Sequence, residues 1–216
     1  MAKYENIRAL AKKQLQTVTE SSDRWKEFLR TAAIAYNYSF PNQLLIYAQN
    51  PTATAVADMD YWNKNAGRRV KRGAHGTAVF DTRANSPRLR YLFDISDTIP
   101  RAEVPDALPW VITDQNWRPV WDKIVADNHA DSIQSALLML STSCVAQRSA
   151  MFTTALGKAI DGSSLQWAKP DEQRQLFIQL ITQSCLYMAA LRCGVDTARL
   201  DLSALESVNQ FDTNRI

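Results

Sequence analysis

The chain has 216 residues, 46% of them hydrophobic and 22% charged. This balance is that of a globular protein with enough apolar mass to bury a core, and it suits one or two domains. The formal net charge is only +3, but its distribution is uneven. From Asn63 to Arg90 the basic residues are Lys64, Arg68, Arg69, Lys71, Arg72, Arg83, Arg88 and Arg90, opposed only by Asp81. That window carries +7 and leaves −4 for the rest of the chain. A local basic patch on a mildly acidic body suits a polyanionic partner and excludes a DNA-mimic inhibitor, which needs an acidic surface.

Apolar spacing predicts a helix over residues 4–19, with Ile7, Leu10, Ala11, Leu15 and Val18 on one face. A second helix, capped by Ser21 or Ser22, carries the stripe Trp25, Phe28, Leu29, Ala32, Ala33 and Tyr36, which places Tyr36 in the core. Pro41 suits the first turn of a third helix that ends at Asn50-Pro51, with Phe40 packing as a staple against it. Thr54–Ala57 reads as a short strand. Asp58 caps a small helix bearing Tyr61 and Trp62, and Gly67 ends it in the left-handed conformation. Arg69–Lys71 is extended, Gly73 and Gly76 punctuate a tight turn, and Thr77–Asp81 and Arg88–Ile95 form a hairpin closed by Asn85-Ser86-Pro87.

Pro100, Pro105 and Pro109 mark a linker over residues 99–109. Beyond it helices are expected from Asp114 to Ala126, from an Asp131 cap to Gly162, and from Pro170 to Gly194. The fold class is therefore α+β: N-terminal helices packed on a small antiparallel sheet, then an all-helical C-terminal half. The domains are residues 1–98 and 110–216. The stop at Arg215-Ile216 suggests that the helical region continues in a longer natural protein.

Several chemistries find no local support. There is no HExxH, no Walker loop, no GxGxxG and no Cys/His cluster with metal spacing, so no cofactor, metal or catalytic residue is expected. The carboxylate pairs Asp58/Asp60 and Asp94/Asp97 read as a helix cap and a strand end. Cys144, Cys185 and Cys193 are odd in number and lie in apolar helical patterns, as reduced core cysteines of a cytoplasmic protein do. The N-terminus has no signal-like segment, and the uncharged runs 132–147 and 175–191 are broken by Ser, Thr and Gln, so they read as buried helices.

Two stretches carry the functional expectation. Tyr36–Gln43 is rich in aromatic and amide groups, and Gly67–Gly76 is basic and punctuated by glycine. An unpaired strand needs cations for its phosphates and ring faces for its bases. Lys64, Arg68, Arg69, Lys71 and Arg72 would hold the backbone. Tyr38, Trp62 or His75 would stack, with core packing as the alternative for Tyr38 and Trp62. Ser39, Asn42 and Gln43 would offer hydrogen bonds, and Gly73 and Gly76 would admit close backbone approach.

The ordered series Tyr38-Ser39-Phe40-Pro41-Asn42-Gln43-Leu44-Leu45-Ile46, Ala55-Val56-Ala57, Trp62 and Gly67–Gly76 resembles the N-terminal domain of ArdC-type antirestriction proteins. Phe93–Thr98 is similar to the segment that follows in that family. The likeness covers about residues 20–98. It implies single-stranded DNA binding without catalysis, in a protein of plasmids and conjugative elements. Arg72 stands where the family has Lys, Ala74 where an acidic residue is frequent, and Pro41 where a basic residue is common. The protease-like domain that follows in ArdC itself would need an HExxH that is absent here. Tyr187–Gly194 with Asn209–Thr213 resembles helical segments of integrative-element proteins, which implies an accessory region. The alternative is an adaptor whose helical half binds a relaxase, a helicase or a host restriction component.

Overall fold

The computed structural model describes residues 2–84, 86–101, 112 and 115–213. Their contacts divide into two compact units. One takes in the chain up to Leu15 and then from Ile34 through the strands; the other takes in Gln16–Ala33 and the later helices. The architecture is α+β, as the periodicities predict, but the division differs from a cut at residue 98.

The first unit begins with α1 (Ala2–Val18) and continues with α3 (Phe40–Gln49), β1 (Val56–Asp58) and α4 (Met59–Lys64). Then come β2 (Arg68–Val70), β3 (Thr77–Phe80), β4 (Leu89–Asp94) and β5 (Thr98–Pro100). The strands form two antiparallel sheets, one of order β1-β4-β3 and one pairing β2 with β5. β3 and β4 make the expected hairpin in the register Thr77↔Leu92 to Phe80↔Leu89; Asn85 of its loop lies outside the described residues. The proline-marked linker is corrected at its start. Thr98, Ile99 and Pro100 pair with Val70, Arg69 and Arg68, so these residues belong to the sheet. Proline is tolerated there because it closes the end of a short edge strand. Residues 102–109 of the expected linker lie outside the described residues.

The local signals explain these elements. Asp58 ends β1 and accepts the Tyr61 N–H at 2.9 Å, capping α4. Gly67, at φ 62°, turns the chain out of α4 into β2. Ala11, Ala35, Leu45, Ile46, Ala53, Val79 and Leu92 form the main core of this unit. On the other face of β4, Phe93 packs with Trp62 and Ala66. Alternation along β4 thus feeds two separate apolar clusters, one on each face.

Asp94 ties the sheet end together. It is 4% exposed and accepts the backbone N–H groups of Thr54 (2.7 Å), Ala55 (3.0 Å) and Ser96 (3.0 Å). Burial by itself would raise its carboxyl pKa, but the hydrogen bonds from Ala55, Ser96 and Thr54 outweigh that and hold it below the ordinary 3.8.

The second unit begins with α2 (Ser22–Ile34). Trp25 Nε1 donates to Ser184 Oγ at 2.9 Å, and Ser22 Oγ donates to Glu206 Oε2 at 2.7 Å. Arg192 caps the end of α2 by donating to the Ala33 carbonyl at 3.1 Å. The stripe of α2 is buried as predicted at Phe28, Leu29, Ala32 and Ala33. Tyr36 lies beyond the helix end and is 52% exposed, which corrects its assignment to the core. Phe40, expected as a staple, is 41% exposed.

The remaining helices are α5 (Trp117–Asp127), α6 (Ile133–Gln147), α7 (Ser149–Ile160) and α8 (Pro170–Arg192), followed by a 3-10 stretch over Ser203–Gln210. The predicted start of α5 at Asp114 lies outside the described residues. Ser132, not Asp131, caps α6, accepting the Ser135 N–H at 3.2 Å. The single long helix expected up to Gly162 is broken at Arg148. Pro170 and Gly194, the latter at φ 65°, bound α8 as predicted. Apolar clusters of this unit form around Leu180, Leu205 and Val208 and around Ile133, Leu137, Leu186 and Ala190. Cys185 and Cys193 are half-buried, and burial raises their thiol pKa values. Cys144 is exposed, which corrects its reading as a core residue.

Asp94 binds fewer protons folded than unfolded, since its folded pKa is depressed. Its stabilisation is complete above the usual carboxylate value and disappears as the pH falls through the lower folded value. Asp94→Asn is expected to cost about 2 kcal/mol at neutral pH by weakening hydrogen bonds to a charged acceptor. Urea titrations should show this deficit at pH 7 and a smaller one near pH 3.

Candidate functional site

The basic turn is built on the segment that Asp94 anchors. Ser96, bonded to Asp94 through its N–H, offers its carbonyl to Lys71 Nζ at 2.7 Å. The Asp97 carbonyl accepts the Lys71 N–H at 2.8 Å. Thr98 Oγ1 donates to the Ile95 carbonyl and accepts from Arg68 Nε at 2.6 Å. From Lys71 the chain reverses, the Ala74 N–H meeting the Lys71 carbonyl at 3.2 Å. Gly73 occupies the third position of this turn at φ 85°, where a left-handed residue is required and glycine carries no Cβ penalty. Gly76 is needed for space instead: a Cβ there would lie 2.9 Å from Tyr91 Cβ and 3.0 Å from Phe93 Cζ.

Between this turn and α4 lies a groove of about 330 Å³ lined by Met59, Asn63, Arg69, Val70, Lys71, Arg72, Gly73, Ala74 and Phe93. Met59 and Asn63 are one helical turn apart and so share a face of α4. Three of the lining residues are cationic and none is acidic. Arg101, which follows β5, adds a fourth cation: its Nη2 donates to Asn63 Oδ1 at 3.0 Å, and its backbone N–H donates to the Gly67 carbonyl at 2.9 Å. No ion pair to Arg69 or Arg72 occurs among the described residues. The turn is therefore held by backbone carbonyls, and no carboxylate among the described residues pairs with Arg69, Lys71 or Arg72.

The structure separates the predicted residues into two groups. Arg69, Lys71, Arg72 and Gly73 come together at the groove. Gly76 shapes it by letting Phe93 approach, and His75 is exposed on the same loop. Lys64 is exposed and pairs with Asp60 at 3.5 Å, a surface contact of small energetic weight.

Asn42, Gln43, Trp62, Arg68 and Tyr38 are corrected, because their polar atoms serve the fold. Asn42 is 1% exposed; its Nδ2 donates to the Phe80 carbonyl at 3.0 Å and its Oδ1 accepts the Phe80 N–H at 2.9 Å, extending the edge of β3. Gln43 is buried with its amide on the Ala35 carbonyl. Trp62 is 1% exposed and donates through Nε1 to the Phe93 carbonyl at 2.9 Å. Arg68 is 8% exposed. Tyr38 is half-buried, donates to the Val56 carbonyl at 3.0 Å, and has the Arg90 guanidinium over its ring at 5.4 Å. Burial raises its pKa despite Arg90. Ser39 is exposed at the start of α3 and makes no side-chain cap.

The wider basic window is also thinned. Arg83 and Arg90 both lie near Asp58 Oδ2, at 3.5 and 3.7 Å, and Arg83 also meets Asp81. The sequence reading missed Met59, Asn63, Phe93 and Arg101. The spacing of Met59 and Asn63 on a capped helix was a usable signal; Arg101 had none, since it sat in an apparent linker. Tyr61, 45% exposed beside Trp62 on α4, is an open ring that the reading named without a role. Among the described residues no group of three or more His, Cys, Asp or Glu is arranged to hold a metal. No helix among them is long and apolar enough to cross a membrane.

The chain matches no protein-family model, and no curated protein or solved structure matches it.

Gly76→Ala should cost about 1–3 kcal/mol through overpacking against Tyr91 and Phe93. Asn42→Ala should cost a similar amount, about 1–3 kcal/mol, by stranding the Phe80 backbone groups. Thermal unfolding checks both, and Ser39→Ala, which breaks no cap bond, should leave the midpoint within about 1 °C of the parent.

Proposed function

We propose that this chain binds single-stranded DNA, without cleaving it, along the groove between α4 and the Lys71–Ala74 turn. The observation that carries this reading is the convergence of Arg69, Lys71 and Arg72 on one concave surface with no carboxylate among its described lining residues, with Arg101 beside it. Cations at such a surface release counterions from a phosphate backbone. The adjacent apolar wall of Met59, Val70, Ala74 and Phe93 favours an unpaired strand, whose bases have faces to bury. The resemblance of residues 20–98 to the ArdC N-terminal domain points the same way. It extends the reading to a role in a bacterial mobile element, in antirestriction or as an accessory to conjugative transfer.

A second reading, an adaptor for a relaxase, helicase or host restriction component, draws on α6. That helix buries Ile133, Ala136, Leu137 and Val145 while Leu138, Met139 and Leu140 stay 43–50% exposed. The triple change L138Q/M139Q/L140Q separates the readings, because the first requires it to leave oligonucleotide affinity unchanged.

Fluorescence anisotropy with a labelled oligonucleotide tests the first reading. With three phosphates met, log affinity should fall with log salt at a slope of about −2. R69A/K71A/R72A should lose most of the affinity while keeping the parent circular dichroism spectrum. Equal affinity for the duplex of the same sequence, or full affinity in the triple variant, would remove the proposal.

A further inference from the structure

The polar side chains that line the groove all have N–H donors to offer. Arg69, Lys71 and Arg72 carry only N–H groups. Asn63 has an amide with one acceptor and one donor end, and Arg101 Nη2 occupies the acceptor end at 3.0 Å. A guanidinium cannot accept a hydrogen bond, so the Asn63 oxygen must face it and the NH₂ group is the end left to offer. Lys71 uses one of its three N–H bonds on the Ser96 carbonyl. The same groove is lined by the apolar residues Met59, Val70, Ala74 and Phe93. Phe93 is held in place because Trp62 grips its carbonyl and Gly76 admits its Cζ.

A phosphate chain alone would satisfy the cations and leave the apolar wall and the Asn63 amide without a purpose. A volume of about 330 Å³ is at the small end of the ~300–1,000 Å³ range of small-ligand sites, and such sites combine apolar walls with a few placed polar groups. We infer that the groove takes one whole nucleotide of the bound strand out of the stack. Its base lies against Met59 and Phe93 with an acceptor atom on the Asn63 amide, and its phosphate rests on Arg69 and Arg72. This deepens the single-strand reading and depends on it. It makes Met59 and Asn63 base-contacting residues, and it gives Arg101 a positioning role through the Asn63 amide.

The test compares two strands of equal length, an oligothymidylate of about ten nucleotides and its counterpart with every base removed, the site size being within the range of single-strand modules. The ordinary strand should bind about tenfold tighter or more, as expected for one stacked base. Asn63→Asp puts a carboxylate in place of the donor, and Met59→Glu puts one on the apolar wall. Both positions are accessible, so the fold tolerates the changes, and circular dichroism checks this. Each should reduce the preference to near unity. Arg101→Lys, which keeps a cationic donor on a long stem, should keep more of the preference than Arg101→Ala. Equal affinity of the parent for the two strands would overturn the base pocket and leave the single-strand reading intact. A preference that survives both Asn63→Asp and Met59→Glu would also overturn it. Failure of both strands to bind would remove the single-strand reading itself.

Discussion

Asp94, a carboxylate 4% exposed, gathers backbone N–H groups from Thr54, Ala55 and Ser96, and the groove depends on that gathering. It locks the approach to β1 against the end of β4 and fixes the 3-10 turn Ile95–Asp97 that follows. From that turn hang the two carbonyls that hold Lys71, and from Thr98 hangs the buried Arg68. A basic loop is ordinarily kept apart by its own charge, since like charges repel. Here carbonyl dipoles of a neutral backbone order the loop, and no described carboxylate is needed to hold Arg69, Lys71 or Arg72.

The second constraint is the pairing of Trp62 with Phe93. Trp62 is large and nearly fully buried, and its indole N–H is satisfied by the Phe93 carbonyl. This fastens the short helix α4 to β4, where propensity alone would leave so short a helix marginal. Met59 and Asn63 of α4 then line the groove together with Phe93 and the residues Arg69–Ala74. Most of the conspicuous aromatic and amide groups near the basic run are thus scaffold: Trp62, Asn42, Gln43 and Tyr38 all give their polar atoms to backbone partners. A buried polar group must find such a partner, and short extended strands leave many backbone groups to satisfy.

The second unit illustrates how far periodicity reaches. Its helices lie where apolar spacing places them, yet the single long helix expected before Gly162 breaks at Arg148. The uncharged composition of α6 does not make it buried all round: Ile133, Ala136, Leu137 and Val145 are buried while Leu138, Met139 and Leu140 are exposed. The second helix (α2) makes hydrogen bonds to residues of the helical unit through Ser22, Trp25 and the Ala33 carbonyl.

Local chemistry was legible in the amino acids. Asp58 as a cap, Gly67 and Gly73 as left-handed residues, the β3–β4 hairpin, the Pro170 start of α8 and the presence of a basic turn all follow from interactions spanning a few residues. Long-range pairing was not legible. Arg68 and Arg69 point to opposite faces of β2, and only the partners each face meets decide that Arg68 is buried on Thr98 while Arg69 is exposed. The recruitment of Arg101 to Asn63 depends on a strand hidden inside a proline-bearing stretch. The loss of Arg83 and Arg90 to Asp58 depends on contacts between residues far apart in the chain. Spacing records what a residue offers to its neighbours along the chain, whereas burial and hydrogen-bond partners are set by segments that meet only once the chain has folded.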